Sequence, residues 1–170
     1  LTWHYRSADE RLVSFANAEV YGGTLVTLPS PGAEEVVAFE RVDGAHGDGT
    51  TSPAEVQRVV DLVLAQLREH PEESVGVVSL SAPHAEQVDA ALRAALDPAA
   101  AAVSVRDVTD AQGEEWDAVV LTVGFGRGAD GAVTYDVAGL GAPGGERLLA
   151  VATTRARRRL TVVSAVTAGD

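Results

Sequence analysis

A cluster of arginines near the end of the chain is the feature best suited to binding an anion. Residues 144–159 predict a helix that begins at two glycines and carries four arginines in its last five positions. At helical spacing, Arg155, Arg158 and Arg159 would share one face. A buried strand at 160–166 would follow directly, so these guanidinium groups could reach a phosphate in an α/β cleft. Alternatively, the cations only complement the dipole at the helix C-terminus.

A second candidate lies near the start of the chain, where His4-Tyr5-Arg6-Ser7 precedes a predicted helix. An aromatic ring beside an arginine can stack on a base while the guanidinium reaches phosphate. The alternative is that Tyr5 is a half-buried core residue and Arg6 a surface charge.

A third candidate is the acidic turn Gln112-Gly113-Glu114-Glu115-Trp116-Asp117, which leads into a buried strand predicted at 118–123. A glutamate in this turn could accept hydrogen bonds from ribose hydroxyls. The carboxylates would lie at the amino-terminal end of the strand unless the turn folds them into a cleft. The alternative is a solvated acidic turn with no ligand.

A fourth candidate is the pair Ser79 and Ser81, at the carboxyl end of a central strand that runs into a helix. Ligands of open α/β sheets bind at such ends, and a helix N-terminus favours phosphate. The alternative is that the two serines only end a strand and cap a helix.

The elements that must position these residues alternate between helix and strand, which predicts an α/β fold with three layers and a mostly parallel central sheet. The helices are predicted at about 8–19, 52–70, 82–96 and 144–159, and the β-like runs at 24–28, 36–42, 75–80, 102–108, 118–123 and 160–166. Ser52-Pro53-Ala54-Glu55 predicts a capping box with proline at the first helical position, and Ser7 to Glu10 predicts a second box. Residues 124–145 form a glycine-rich loop.

The amino-acid composition excludes several kinds of site in this chain. The 170 residues predict one domain. All 13 basic residues are arginine, so this chain has no Walker A lysine and no lysine base. Cysteine is absent and the four histidines lack ligand spacing, so no metal site is expected. The net charge of −12 predicts weak binding to nucleic acid by this chain alone. No membrane span is expected, and cytoplasmic localisation is the interpretation.

Taken in order, the candidate stretches resemble motifs of the second RecA-like domain of superfamily 1 helicases. The likeness is closest to the 5′→3′ group that includes RNA-surveillance helicases. Residues 4–7 resemble motif IV, residues 112–117 resemble motif V (Q-G-x-E-x-D), and residues 145–157 resemble motif VI (E-R-R-L-N-V-A-x-T-R-A-R). Leu148 and Ala150 stand where motif VI has its second arginine and its asparagine.

The resemblance implies a RecA-like, P-loop NTPase-like domain over residues 1–170 that lacks its own Walker A loop. It further implies the C-terminal motor domain of an ATP-dependent helicase, as a piece of a longer protein. The implied roles are adenine stacking by Tyr5, γ-phosphate contact by Arg6, ATP contacts by Gln112, Gly113 and the ribose-binding Glu115, an arginine finger at Arg155, and nucleic-acid contacts by Ser79, Ser81 and Thr109.

The implied cofactor is ATP with magnesium, and the metal would be held by the partner domain. The implied partners are an N-terminal RecA-like domain of the same protein and single-stranded DNA or RNA, with no membrane. The isolated chain would be a monomer without ATPase activity. The alternative is a degenerate RecA-like module that binds protein or nucleic acid and does no ATP work.

Overall fold

Five parallel strands form the central sheet, and helices lie on both of its faces, as the sequence predicts. The structure is a computed structural model that describes residues 7–27, 35–43, 51–96, 103–126, 139–140 and 142–166. Its strands are β1 (Val37–Arg41), β2 (Val75–Ser79), β3 (Val103–Asp107), β4 (Trp116–Thr122) and β5 (Ala156–Ser164). Its helices are a 3-10 helix (Glu10–Val13), α1 (Ser14–Glu19), α2 (Pro53–Glu69), α3 (Ala82–Ala95) and α4 (Gly145–Thr153).

The strand order is β1-β5-β4-β2-β3, and every pairing between neighbours is parallel. The interior strand β2, between β4 and β3, is buried along its whole length because helices cover both faces of the sheet. On one face, α2 and α3 pack on the sheet through Val63 and Val88, which lie in one buried cluster with Val77 of β2. On the other face, Leu12 of the 3-10 helix and residues of α4 lie in one buried cluster with Leu160 of β5.

A glycine in β2 makes room for the largest side chain of the second face. A Cβ atom at Gly76 would lie 2.2 Å from Cδ2 of Trp116, so the indole ring lies directly over the backbone of β2. Trp116 itself is buried, with 6% of its surface exposed. The contact fixes how β4 begins beside β2.

The arginine cluster is not helical, and the prediction of one arginine face was wrong. α4 ends at Thr153 and β5 begins at Ala156, so residues 157–159 lie on a strand. The cause is tertiary: β5 forms ladders with both β1 and β4, and these hydrogen bonds outweigh the weak helix preference of the preceding threonines. The guanidinium groups of Arg157, Arg158 and Arg159 pair with carboxylates of Glu115, Asp117 and Glu73.

Two of the predicted helix starts differ in detail. Asp9, not Ser7, caps the first helix by accepting from the backbone N–H of Arg11. Ser52 caps α2 by accepting from the N–H of Glu55, as predicted, and the carboxylate of Glu55 bonds residues at the carboxyl ends of β4 and β5. The β-like run predicted at 24–28 is reduced, in its described part (residues 24–27), to a single β-bridge residue, Val26.

Within the described residues, no helix is long and apolar enough to cross a membrane. The same part of the chain has no group of three or more histidine, cysteine, aspartate or glutamate side chains that could hold a metal ion.

Candidate functional site

A cavity of about 460 Å³ lies between α4, the end of α1 and the connections that lead into β4 and β5. Its described lining residues are Val20, Tyr21, Gln112, Arg147, Ala150, Val151, Thr154 and Arg155. The volume falls within the range of about 300–1,000 Å³ that is usual for small-molecule sites. Two of the predicted site residues, Gln112 and Arg155, therefore meet in one cavity.

One face of α4 forms a wall of this cavity. Arg147, Ala150, Val151 and Thr154 follow the spacing i, i+3, i+4 and i+7, which places them on one helical stripe. Ala150, which replaces the asparagine of the motif, therefore lies on the wall. Leu148 points away from the stripe and packs against the apolar cluster under α4.

Arg155 is held by the main chain of two different segments. The residue is buried, with only 8% of its surface exposed. Its Nε donates to the carbonyl oxygen of Val151 at 2.9 Å, and its Nη1 donates to that of Glu114 at 3.1 Å. Its Nη2 lies 3.1 Å from the hydroxyl of Thr154. These three bonds fix the plane of the guanidinium group.

Residues 108–115 carry Gln112 and Gly113 from the end of β3 back to the start of β4 without a helix. Val108 and Ala111 are buried in the apolar cluster and anchor this connection. Gln112 is exposed at the cavity. Gly113 has φ +89°, in the left-handed region that favours glycine.

Glu115 belongs to a charged pair beside the cavity and is not among its described lining residues. Its Oε1 accepts from Nη2 of Arg157 at 2.5 Å. The same hydrogen bond raises the pKa of Arg157. Any further hydrogen-bond donor to Glu115 Oε1 would therefore share or displace this contact.

Tyr5 and Arg6 lie outside the described residues. The residue after them is anchored at the cavity side of the sheet, because the hydroxyl of Ser7 donates to the carbonyl oxygen of Ala156 at 3.2 Å. The N–H of Ala8 donates to the carbonyl oxygen of Arg157 at 2.7 Å. Ser7 thus bonds the residue directly after Arg155.

The predicted nucleic-acid contacts lie at the opposite ends of the strands. Ser79 ends β2, and Thr109 follows β3. The Ser79 hydroxyl is fully buried; it accepts from the N–H of Ser81 at 3.1 Å and donates to the carbonyl oxygen of Ser81 at 2.8 Å. Thr109 is exposed, and its hydroxyl donates to Asp107 at 2.6 Å.

Glu55, which reads from the sequence only as the last residue of a capping box, places a buried carboxylate at this same end of the strands. Oε2 of Glu55 accepts from the hydroxyl of Thr122 and from the N–H of Gly124, each at 2.9 Å. Oε1 accepts from the N–H of Ala165 at 3.0 Å. His84 Nε2 lies 3.0 Å from the same Thr122 hydroxyl. Burial raises the pKa of Glu55, and these hydrogen bonds partly offset the rise.

Arg147 also lines the cavity, although the resemblance to motif VI implies no role for it. Its helical spacing to Thr154 was the available signal, because both residues would then face the same side of α4.

Comparisons with known proteins agree with the fold and add a family. The AAA domain family AAA_12 matches residues 1–167. A Mycoplasma pneumoniae protein named "Uncharacterized ATP-dependent helicase MG140 homolog" is 25% identical over 189 residues. That match covers 100% of this chain, which spans only 16% of the relative's length.

A solved structure extends the comparison to three dimensions. It is the C-terminal domain of a possible DNA helicase from Lactobacillus plantarum WCFS1, with a TM-score of 0.55 and 21% identity. The match covers 94% of this chain and 86% of that one. The resemblance drawn from the motifs is therefore confirmed for family and fold. The chain belongs to the AAA_12 family of AAA domains and has the α/β, RecA-like fold of a helicase C-terminal domain.

Proposed function

We propose that this chain is the C-terminal motor domain of an ATP-dependent nucleic-acid helicase or translocase. ATP would lie between the cavity beside α4 and an N-terminal RecA-like domain of the same protein. The observation that carries the proposal is Arg155, whose guanidinium is fixed on two main-chain carbonyls at the wall of a cavity of about 460 Å³. The relative named as an ATP-dependent helicase supports the same activity.

The residues of the cavity fit a nucleoside triphosphate. Its described lining includes Arg147 and Arg155 and no carboxylate, although the chain as a whole carries a net charge of −12. A locally positive cavity in an acidic protein is suited to a polyphosphate. The described residues do not form a metal site, so in this proposal magnesium would be held by the partner domain.

The proposed roles follow from position. Arg155 would donate to the charge that develops on the γ-phosphate during phosphoryl transfer, aided by Arg6. Ser7, the residue after Arg6, is bonded beside Arg155, which supports that assignment. Gln112 would bind the nucleotide from the opposite wall, Gly113 would allow close backbone approach, and Glu115 would bind ribose. Tyr5 would stack on adenine. ATP supplies the phosphoanhydride bond whose hydrolysis drives the cycle.

Single-stranded nucleic acid would bind at the carboxyl ends of the strands, opposite the cavity. Thr109 is exposed there, while the buried Ser79 and Ser81 would act by shaping the turn after β2. β4 has 7 residues, which separates the two edges by about 20 Å. Closure of the domains around ATP would then shift the nucleic-acid edge relative to the partner domain.

The test is Arg155→Lys in the full-length protein. Lysine keeps the charge but loses the planar fork, so the kcat for ATP hydrolysis should fall by about 10³-fold or more, as for other arginine fingers. ATP turnover is measured with and without single-stranded DNA and RNA. Arg93→Lys, on the exposed side of α3, is the control and should leave kcat unchanged.

Arg155 also bonds structural carbonyls, so the unfolding midpoint of each variant is measured alongside. Full ATPase activity in a folded Arg155→Lys protein would contradict the proposed role. The second candidate function is a non-catalytic binding module. It is supported by Ala150, which stands on the cavity wall where the motif has an asparagine. A full-length protein that binds nucleic acid but neither binds nor hydrolyses ATP would favour this second function.

A further inference from the structure

We propose that Arg147 is a second phosphate-binding residue of the cavity, one that strengthens nucleotide binding without acting in the chemical step. This inference rests on the proposed function, because the ligand is the nucleoside triphosphate assigned above. It goes beyond the arginine finger by giving the cavity two cations with different tasks.

Arg147 stands apart from the other described arginines in having no partner. Eleven arginines are described, and ten of them have a hydrogen bond or ion pair through the guanidinium. Within the described part of the chain, the side chain of Arg147 makes neither. The guanidinium of Arg147 can therefore offer all five of its N–H groups to a ligand, whereas the other ten, Arg155 included, can offer only the N–H groups that their partners leave over.

Arg147 is exposed and lies on the side of α4 that faces the cavity. It is the third residue of α4 and begins the stripe that continues with Ala150, Val151 and Thr154. Its neighbour Glu146 lies in the first turn but is not among the described lining residues. Adjacent helical residues do not face each other, and no ion pair joins Glu146 to Arg147 within the described residues.

Charge points to the kind of ligand. Arg147 and Arg155 line one cavity whose other described lining residues are neutral, so the two cations repel each other until an anion lies between them. A polyphosphate carries several negative charges and can contact both guanidinium groups. Arginine forms paired, charge-assisted hydrogen bonds with phosphate oxygens, which suits it to this contact.

The two arginines should differ in what they contribute. Arg155 is fixed on the carbonyls of Val151 and Glu114 and cannot move far. Arg147 has no such bonds and can follow the phosphates through the reaction. A contact that is equally strong in the ground state and the transition state lowers KM and leaves kcat unchanged.

The test compares the full-length parent protein with its Arg147→Gln variant. For both proteins, KM and kcat for ATP hydrolysis and the equilibrium Kd for ATP and for ADP are measured. Loss of one charge-assisted contact should raise KM and the ATP Kd by about 10-fold or more while kcat stays within about 3-fold. Arg147→Lys keeps a cation and should recover part of the affinity. Arg68→Gln, an exposed arginine on α2 bonded to its own helix, is the matched control.

Two outcomes overturn the inference while leaving the proposed function intact. One is an unchanged KM and Kd in an Arg147→Gln protein that still hydrolyses ATP, and the other is a loss of kcat at unchanged KM. A parent protein that neither binds nor hydrolyses ATP would instead refute the proposed function. The Arg147→Lys variant and the unfolding midpoints distinguish weaker binding from misfolding.

Discussion

At the scale of single residues, Gly76 shows how a missing side chain can hold a fold together. The indole ring of Trp116 occupies the space where a Cβ atom would stand, 2.2 Å from Cδ2. Gly76→Ala should therefore displace the ring and cost about 1–3 kcal/mol of unfolding free energy. Chemical denaturation of the two proteins measures the loss.

A second substitution tests the cause. In the Gly76→Ala background, Trp116→Leu removes the ring from above residue 76, so the two changes together should cost less than their sum. Additive losses would show that the alanine acts elsewhere than on the indole.

Residue types and spacing predicted part of the cavity. The motif spacing identified Gln112 and Arg155, and both line it. It did not reveal that Arg147 lacks a partner among the described residues, since that depends on where their carboxylates lie in the folded chain. For the same reason the cap at Ser7 was wrong: Asp9 competes for the same task, and the Ser7 hydroxyl finds a carbonyl on β5.

At the scale of elements, the carboxylate of Glu55 joins three of them. It stands in the first turn of α2 and accepts N–H groups from Gly124, just after β4, and Ala165, just after β5. The residue reads as half of a capping box, and only the tertiary arrangement turns it toward the sheet. Sequence periodicity places such a residue on a helix but not against the two strand ends that come later in the chain.

This arrangement predicts a pH dependence. Burial raises the pKa of Glu55 in the folded state, so the folded protein binds this proton more tightly than the unfolded chain does. The contribution to stability is complete below the unfolded pKa of about 4.3 and is lost as pH rises through the raised folded pKa. Glu55→Gln cannot titrate and should therefore lack this loss.

The measurement is the free energy of unfolding of both proteins from about pH 4 to about pH 8. The stability of Glu55→Gln relative to the parent should increase with pH across that window. Glu69→Gln, at the exposed end of the same helix, should run parallel to the parent. Parallel curves for Glu55→Gln as well would refute the account of the buried carboxylate.

The boundary between α4 and β5 marks the limit of local prediction. Arg157 to Arg159 read as the end of a helix because arginine is a good helix former. These residues form a strand and not a helix because β5 completes hydrogen-bond ladders with β1 and β4 and because nearby carboxylates pair with the arginines. Neither gain is visible in a short window of sequence.

At the scale of the whole molecule, the absence of lysine limits what this chain can do alone. Walker A chemistry needs a lysine on the phosphates, and none of the 13 basic residues is one. The isolated chain should therefore show no ATP turnover, with or without single-stranded nucleic acid. Turnover that scales with the concentration of pure chain, and that disappears in Arg155→Lys, would contradict this.

The layered α/β architecture was predictable at this scale because strand and helix patterns alternate regularly from residue 52 onward. The buried runs of β2 and β4 and the apolar stripe of α2 each carry a strong signal. The order of the strands was not predictable from those signals, since β1 pairs with the strand furthest from it in sequence.

That order has a consequence for how the protein is made. β5 leaves the ribosome after the other four strands, yet it lies between β1 and β4 and supplies their sole connection through the described sheet. During synthesis, the backbone N–H and C=O groups of β1 therefore have no strand to pair with until more than a hundred further residues have been made. Until β5 arrives, the nascent chain exposes backbone that can pair with other chains, which is when a holding chaperone would matter most.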